Sequence, residues 1–548
     1  MERFFNTAGP NIPEDHYHIP SLERVDWEEI QRLIAQKRYF LLHAPRQTGK
    51  TSVLLEMMEA LNAQGRYHAL YVNIEAAQTV RNDADKGMRI VCEAIAASAR
   101  VYKVEPGLRA DVRALLAEDQ PQGVLTQFLA QWAELSEKPI VLFLDEVDAL
   151  VGDTLISLLR QIRAGYAQRP QVFPQSLVLC GLRDIQDYRI HRSDGEIITG
   201  GSAFNIKAKS LRLGNFSAAE VRGLFEQHSA ATGQSFDEAI FTELWQDTCG
   251  QPWLVNALGH ELIWEDRSAR DRNTPISLEQ YWAARERLIE SRATHLDQLA
   301  DKLQEPRVHR VVAPLLHGDS DQLEAGAQDF QYVIDLGLID RTVNKQVRIS
   351  NRIYQEIIPR ELNSAAQSMM VVPETPWFVD PDGRLNFHKL LEAFQQFFRE
   401  NSESWLERFD YKEAGPQLLM QAFLQRVING GGRISREYGL GRRRTDLAVE
   451  WPLQRLPVSS EKEKSGVEGE PNWHGPIQRI VIELKLLRGS LDSVIKKGLE
   501  QTAAYADAYK ADEAHLVIFN RDPDVGWDKK IWRQNRQCAN RTIGVWGA

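Results

Sequence analysis

Two short segments near the C-terminus place charged residues where they could hydrolyse a phosphodiester. Asp446 opens the apolar segment 446–449, and Glu483 and Lys485 follow the apolar run 480–482. Side chains two apart on a strand point to the same face, so Glu483 and Lys485 emerge side by side. If the two strands pair, the carboxylates would hold Mg²⁺ beside a scissile phosphate, where the metal activates water. Lys485 would orient the nucleophile or stabilise the charge that develops on phosphorus.

A helix-like segment after these strands carries Gln501 and Tyr505, which are four residues apart and share one helical face. In this order the motifs resemble the PD-(D/E)xK nuclease superfamily, and the Gln501 and Tyr505 pair resembles an element of its RecB-like branch. The resemblance covers residues 387–548. It implies a restriction-endonuclease-like α/β domain in which Asp446 and Glu483 ligate Mg²⁺ or Mn²⁺. The catalytic residues that it implies are Asp446, Glu483, Lys485, Gln501 and Tyr505.

The resemblance also implies a further acidic residue ahead of the first metal-binding strand. Glu413 and Glu437 both qualify, and the sequence does not choose between them. The basic run 442–444 fits a groove that tracks phosphates, although for the run taken alone a solvated basic loop is the better interpretation. The alternative to catalysis is a structural ion cluster, or a degenerate fold that is retained for binding, because a lone Glu-x-Lys in a strand is common.

The N-terminal half contains a separate phosphate-binding signature in residues 44–51, with the sequence APRQTGKT. It lies between the strand-like segment 39–43 and the helical segment 52–61, which is the order that a P-loop needs. Ala44 replaces the first glycine of the usual motif, at a position where the loop only begins. Backbone amides would wrap the phosphates, Lys50 would reach the terminal phosphates, and Thr51 would ligate Mg²⁺. The expected nucleotide-binding residues of this loop are Pro45, Arg46, Gln47, Thr48, Gly49, Lys50 and Thr51.

Residues 139–148 form an apolar run that ends in acids, as a Walker B strand does. Asp145 would hold Mg²⁺ through water, and Glu146 would polarise the attacking water, which favours hydrolysis over binding alone. Arg183 follows another strand-like segment, 176–181, and could sense the γ-phosphate. Its alternative is an ordinary surface arginine.

Together these motifs resemble an AAA-like ATPase of the STAND kind over residues 1–365. Pro252, within the segment 250–253, resembles the G-x-P element that such proteins place beside the nucleotide base. Residues 307–361 predict a winged helix, which would act as a lid or clamp rather than as a DNA reader. The expected fold is α/β, with a P-loop ATPase on a parallel sheet, a helical and winged-helix lid, and the C-terminal nuclease-like domain. The predicted domains are an ATPase core (1–210), a helical lid (211–290), a winged-helix-like domain (291–370), a linker (371–386) and a nuclease-like domain (387–548).

Composition sets limits on the partners and the compartment. The chain has 548 residues, a hydrophobic fraction of 43% and a formal net charge of −10, so any contact with nucleic acid must be local. The four cysteines form no C-x-x-C pair, which disfavours zinc and indicates a reducing compartment. An apolar signal core and a membrane-length apolar stretch are both missing, so we expect a cytoplasmic protein without a membrane partner.

The sequence therefore predicts an ATPase, with ATP and Mg²⁺ as cofactors, that controls a metal-dependent nuclease. Its expected partner is nucleic acid, with DNA favoured over RNA, and a homo-oligomer or a protein trigger is compatible with this architecture. Conditional cleavage of this kind fits prokaryotic defence against phages or plasmids. The alternative is a STAND-like regulatory switch or scaffold whose C-terminal domain binds nucleic acid or protein without cutting it.

Overall fold

The chain folds into two compact units, and each is described here by itself. In the computed structural model one unit comprises Met1–His295 and Ala325–Arg341, and the other comprises Leu296–Glu324 and Thr342–Ala548. The segment 291–370, predicted as one winged-helix module, thus contributes residues to both units. The structure describes residues 2–104, 123–184, 189–191, 197–199, 204–291, 302–303, 305–315, 326–341, 347–362, 377–408, 420–421, 423–424, 432–440, 443–456, 470–471, 475–487, 489–520, 522 and 524–548.

A parallel sheet forms the centre of the first unit. The strands of this unit's N-terminal part are β1 (Tyr39–His43), β2 (His68–Asn73), β3 (Ile140–Asp145), β4 (Ser176–Gly181), β5 (Arg189–His191), β6 (Ile197–Thr199) and β7 (Lys207–Arg212). The sheet has the order β2-β3-β4-β1-β7 with every neighbouring pair parallel, while β5 and β6 pair separately. Every residue of β3 and β4 is buried, as parallel strands covered on both faces require. The parallel sheet predicted for the P-loop domain is confirmed.

Helices cover both faces of this sheet. They are α1 (Trp27–Ala35), α2 (Lys50–Ala63), α3 (Ala84–Val101), α4 (Val124–Leu135) and α5 (Gly152–Ala164). One core joins α1 and α2 to one face, where Phe40 and Val141 are buried, and a second core joins α3, α4 and α5 to the opposite face, where Leu41 and Leu142 are buried. Because successive strand residues alternate between faces, a continuous apolar strand supplies both cores at once.

Four helices follow the sheet and form a cluster that we name the helical lid. They are α6 (Ala218–Thr232), α7 (Glu238–Thr248), α8 (Pro252–His260) and α9 (Leu278–Glu290). Capping boxes at Ser217 and Ser277 begin α6 and α9. The N-terminal segment packs on this lid, since the Phe5 ring lies 4.7 Å from the Phe225 ring and the Tyr17 hydroxyl lies 3.0 Å from His228 Nδ1. The N-terminus is thereby anchored on the lid.

The next elements are α10 (Pro306–Leu315), α11 (Ala327–Asp335), β8 (Ile339–Arg341), β9 (Val347–Ile349) and α12 (Arg352–Leu362). This order of helices and strands is the one expected for a winged helix. The division into units places α11 and β8 in the first unit and α10, β9 and α12 in the second. The domain boundaries given above stay a prediction.

A mixed sheet forms the centre of the second unit. Its further elements are α13 (Phe387–Arg408), β10 (Arg433–Leu440), β11 (Arg443–Pro452), β12 (Arg455–Leu456), β13 (Glu470–Pro471), β14 (Ile477–Leu486), α14 (Leu491–Tyr509), β15 (Glu513–Phe519), α15 (Trp527–Lys530), β16 (Trp532–Cys538) and β17 (Arg541–Gly547). The strand order is β10-β11-β14-β15-β17-β16, in which β14, β15 and β17 run parallel and the other neighbours run antiparallel. One buried core lies under α13 and another under α14, so this sheet is also covered on both faces.

In the described part of the chain, no helix combines the length and the apolar character that crossing a membrane requires.

Gly250, at the entry to α8, offers a stability test. Its φ of +70° lies in the left-handed region, and a Cβ there would lie 2.0 Å from the Phe216 carbonyl oxygen. Gly233 has a similar φ of +80° but has open space around it. Gly233→Ala should cost about 1 kcal/mol from backbone strain alone, and Gly250→Ala should lower the unfolding temperature further, because the carbonyl must also move. Equal decreases in the unfolding temperature of the two variants, measured by differential scanning calorimetry, would contradict this packing around Gly250.

Candidate nucleotide site and candidate metal centre

The P-loop joins β1 to α2 and surrounds the Lys50 ammonium. Gly49 caps α2 with a φ of +88°, a left-handed conformation that suits glycine. Lys50 Nζ donates to the carbonyl oxygens of Ala44 and Pro45, at 3.0 Å each, and the Thr48 hydroxyl donates to the Pro45 carbonyl at 2.9 Å. The loop therefore presents a buried cation and a helix N-terminus together, which is an anion-binding arrangement.

Thr51 and Asp145 meet at the end of β3, as predicted. Thr51 Oγ1 donates to Asp145 Oδ2 at 2.7 Å, and the Glu146 backbone N–H donates to Asp145 Oδ1 at 3.0 Å. A hydroxyl beside a fully buried carboxylate is the kind of hard oxygen donor set that Mg²⁺ prefers, so these residues fit the metal. Burial raises the pKa of Glu146, and the charges of Asp148 and Asp145 raise it further.

Arg183 lies just beyond β4, at the same sheet edge as Asp145. The Asp148 carboxylate accepts the Leu182 N–H at 3.0 Å and so ties the turn after β3 to the end of β4. The Arg183 guanidinium lies 5.1 Å from the centre of the Tyr332 ring, on α11. The structure thus places Arg183 near the predicted Walker B residues, with its guanidinium against α11.

A cleft of about 670 Å³, including its open mouth, continues from the P-loop to Pro252. Gln47, Gly49 and Ser52 line one side, and Pro252 and Trp253 line the other. The N-terminal segment also lines the cleft, where the Asn11 N–H donates to Ser52 Oγ at 2.9 Å and Trp253 Nε1 donates to the Thr7 carbonyl at 2.9 Å. One cleft is therefore lined both by predicted phosphate-binding residues, Gln47 and Gly49, and by the predicted base-binding residue, Pro252. Arg46 lies in the same loop as Gln47.

Sequence patterns missed Arg24, which contacts the P-loop from the N-terminal side. Its Nη1 donates to the Thr48 carbonyl at 2.8 Å, its Nη2 donates to the Gly214 carbonyl at 2.9 Å, and its guanidinium lies 4.7 Å from the Phe216 ring centre. Burial lowers the pKa of Arg24 to about 10. Its neighbours in the sequence carry no phosphate-binding pattern, so only the fold brings it to the loop.

In the second unit, Asp446, Glu483 and Lys485 converge as predicted. Asp446 Oδ2 accepts the Leu484 N–H at 2.7 Å, and Lys485 Nζ lies 2.6 Å from Glu483 Oε1. Glu483 is 2% exposed, and its Oε2 has no hydrogen-bond partner among the residues that the structure describes. Burial raises the pKa of Glu483 to about 8, with the Asp446 charge as the next cause and Lys485 opposing both.

The pKa of Lys485 is also raised, but for a different reason. Burial lowers the pKa of Lys485, but the charges of Glu483 and Asp446 outweigh burial, and the pKa is raised overall. Gln501 and Tyr505 lie on α14, which packs against β14. The buried Gln501 Oε1 finds no partner within the described ranges. Gln501 thus supplies a further polar atom for which the described protein groups provide no donor.

The carboxylates fit a divalent cation, although the described side chains supply only part of a full ligand set. Oxygen donors suit Mg²⁺ or Mn²⁺, and the unpartnered Glu483 Oε2 is a buried acceptor that a cation would satisfy. No group of three or more His, Cys, Asp or Glu side chains arranged for a metal occurs in the part of the chain that the structure describes.

The backbone register of the sheet bears on the two candidate acids. Leu447 pairs with Arg436 on β10 and with Ile482 on β14. Because both pairings are antiparallel, the preceding residue, Asp446, lies between Glu437 and Glu483 in one row across the three strands. Glu413 lies outside the described residues. Arg442, the first residue of the basic run 442–444, also lies outside the described residues. The other two residues of that run begin β11.

Comparison with known proteins gives the family of the chain. Residues 20–358, more than half of the chain, match the family model described as an AAA-like domain. The chain belongs to the AAA-like domain family. The match ends within α12, so it spans the P-loop ATPase domain, including Lys50, Asp145 and Pro252, and leaves the mixed sheet outside. No curated protein matches this AAA-like chain.

Solved structures similar to this AAA-like protein are remote. The Walker-type ATPase of Pyrococcus abyssi is 12% identical with a TM-score of 0.42, and the match covers 65% of this chain and 99% of that one. Cdc6p from Pyrobaculum aerophilum is 14% identical with a TM-score of 0.36, covering 64% and 95%. The RuvB Holliday junction branch migration motor of Thermotoga maritima is 14% identical with a TM-score of 0.32, covering 62% and 98%. Similarities this remote carry no argument about function.

Arg24→Met tests the contact between Arg24 and the P-loop. Removing the guanidinium leaves the Thr48 and Gly214 carbonyls without their donor, so we expect ATP affinity to fall roughly tenfold, as for the loss of a charged hydrogen bond. Isothermal titration calorimetry measures the affinity. Arg32→Met is the matched control, because the Arg32 side chain is 64% exposed and pairs only with Glu29 in the described part of the chain. Unchanged affinity in Arg24→Met would contradict the expected role.

Proposed function

We propose that this protein binds and hydrolyses ATP in its first unit and that the nucleotide state controls a metal-dependent nuclease in its second unit. The observation that carries the proposal is the buried Glu483 carboxylate, which has Asp446 and Lys485 beside it and one oxygen without a partner in the described ranges. An ATPase alone has no need of such a cluster.

The energetics of Glu483 support a metal centre. Removing a carboxylate from water is costly unless it is paired and hydrogen-bonded. Burial raises the pKa of Glu483 to about 8, the Asp446 charge raises it further, and Lys485, which satisfies Oε1, opposes both. If both acids ionise beside one ammonium group, negative charge is left over, and a divalent cation that replaces the proton would balance it. The position of the cluster on a mixed sheet covered by α13 and α14 supports the predicted restriction-endonuclease-like fold.

The residues of this centre have separate roles in the proposed cleavage of a phosphodiester. Asp446 and Glu483 would hold Mg²⁺ or Mn²⁺, which when bound supplies an activated water and neutralises charge on the phosphate. Lys485 would place its ammonium group against the phosphate or the attacking water, since it already lies 2.6 Å from Glu483. Gln501 and Tyr505, on α14, would orient these groups.

The first unit carries the groups that ATP hydrolysis needs. The P-loop with Lys50 would bind the phosphates, and Thr51 with Asp145 would hold Mg²⁺. The raised pKa of Glu146, caused first by burial and then by Asp148 and Asp145, suits a residue that accepts a proton from water. Arg183 would sense the γ-phosphate from the end of β4.

Control of the nuclease by ATP has a structural route within the first unit. The turn after α11 contacts the P-loop, since a Cβ on Gly337 would lie 2.9 Å from the Pro45 side chain. Arg212 on β7 donates to the Ile334 carbonyl at 3.3 Å. The segment that contains α11 is joined in sequence to the second unit at both ends, which makes it the candidate link between the nucleotide site and the nuclease.

We propose nucleic acid as the substrate, DNA ahead of RNA, and defence against phages or plasmids as the setting in which conditional cleavage is useful. A cytoplasmic location, a homo-oligomer and a protein trigger belong to the same proposal. One observation favours the second candidate, a STAND-like switch or scaffold without cleavage, because the described side chains do not form a group of three metal-ligating residues. A nuclease-like fold does not by itself imply cleavage, because one fold can carry unrelated functions.

Cleavage assays with site variants separate these two functions. Purified protein is incubated with Mg²⁺ or Mn²⁺ and with linear, circular or single-stranded DNA or RNA, in the presence of ATP, ADP or neither. We expect Glu483→Ala to abolish cleavage, because it removes a metal ligand, and Lys50→Ala to change its nucleotide dependence. Cleavage that survives Glu483→Ala would exclude this site as the catalytic centre. Cleavage that keeps its nucleotide dependence in Lys50→Ala would show that the ATPase site does not control the nuclease.

Glu437→Gln tests whether Glu437, rather than Glu413, completes the metal site. Its place in the row with Asp446 predicts that the amide raises the Mn²⁺ concentration for half-maximal cleavage roughly tenfold. Glu450→Gln is the control, because Glu450 lies four residues farther along β11 and faces Arg479 at 3.6 Å. An effect of Glu413→Gln in place of Glu437→Gln would reverse the assignment.

A further inference from the structure

Tyr71 contacts the Walker B carboxylate from the neighbouring strand. Its hydroxyl donates to Asp145 Oδ2 at 3.1 Å, the same oxygen that accepts the Thr51 hydroxyl at 2.7 Å. Tyr71 lies on β2, where Asn73 pairs with Asp145, so the ring extends along the strand direction toward the end of β3. The side chain is 7% exposed, which keeps water from competing for the contact. Apart from its hydroxyl, Tyr71 belongs to the apolar core under α2.

Donors on both oxygens therefore fix how the Asp145 carboxylate is rotated. Thr51 and Tyr71 hold Oδ2, and the Glu146 N–H holds Oδ1 at 3.0 Å. A carboxylate with a donor on each oxygen cannot turn about its χ2 bond without breaking a hydrogen bond, and a buried one has no water to replace the lost donor. Thr51 sits on the P-loop helix, whereas Tyr71 sits on the sheet. Tyr71, together with the buried Cys180 thiol on β4, is thus a side-chain donor on the sheet that keeps Asp145 aligned when the P-loop adjusts to a ligand.

We propose that Tyr71 is a positioning residue for the magnesium ion of the ATPase site, acting through the orientation of Asp145. This inference rests on the proposed binding of Mg²⁺ and ATP by Thr51 and Asp145. Mg²⁺ demands near-ideal octahedral geometry, so a small rotation of the carboxylate weakens Mg²⁺ binding more than it weakens nucleotide binding. The sequence gives no sign of this role, because tyrosine in an apolar strand is ordinary.

Tyr71→Phe removes only the hydroxyl and keeps the ring in the core. Tyr39→Phe is the matched control, since Tyr39 is also fully buried on the same sheet and its hydroxyl donates to the Pro174 carbonyl at 2.9 Å, away from Asp145. Both variants lose one buried hydrogen bond, so calorimetry should record similar decreases in unfolding temperature. Any effect on Mg²⁺ that is confined to Tyr71→Phe then reports positioning rather than stability.

The full-length protein is titrated with Mg²⁺ at a fixed concentration of fluorescent ATP, and Mn²⁺ binding to the protein with ATP is followed by electron paramagnetic resonance. We expect Tyr71→Phe to raise the half-saturating metal concentration about fivefold. ATP affinity in EDTA should remain that of the unaltered protein, and Tyr39→Phe should match the unaltered protein in both titrations. If Tyr71→Phe and Tyr39→Phe have the same half-saturating metal concentration, the proposed role of Tyr71 is wrong. If the unaltered protein shows no metal-dependent ATP binding, the proposed function itself fails.

Discussion

The burial of carboxylates at the ends of apolar strands is the constraint around which both units are arranged. Asp145 ends β3 with no exposed surface, and Glu483 lies within β14 with 2% exposed. A buried charge destabilises the fold unless donors or cations surround it, so the neighbouring elements must supply them. At Asp145 they come from Thr51 on α2, Tyr71 on β2 and the Glu146 N–H, so that both carboxylate oxygens have donors. At Glu483 only Oε1 is satisfied in the described part of the chain, by Lys485, and this difference marks the second site as the one with an unpartnered carboxylate oxygen.

Those parts of the two sites that depend on local sequence could be predicted. A glycine before Lys50, a β-strand on one side and a helix on the other define the P-loop without any distant contact, and the acids that end β3 are visible as a break in an apolar run. The same holds for Glu483 and Lys485, which are neighbours on one strand. To bring them next to Asp446, the fold only has to pair β11 with β14, and these two strands do pair in the register that aligns the residues.

Residues that act through distant contacts could not be predicted. Arg24 reaches Thr48 across 24 residues, and Tyr71 reaches Asp145 across 74 residues, in surroundings without a functional pattern. The division of the chain was also hidden, because α11 resembles its sequence neighbours in apolar periodicity yet lies in the first unit, where the turn after it, at Gly337, contacts Pro45. Periodicity reports which face of a helix is buried but not the partner against which it is buried.

Binding of Mn²⁺ to the nucleotide-free, full-length protein tests the central claim most directly, because it addresses the charge balance at Glu483 without requiring a substrate or a trigger. Electron paramagnetic resonance counts the bound ions in the unaltered protein, in Glu483→Gln and in Lys50→Ala. We expect the unaltered protein to bind an ion that Glu483→Gln removes and Lys50→Ala retains. Absence of bound Mn²⁺ in the unaltered protein, or binding that Glu483→Gln leaves intact, would contradict it.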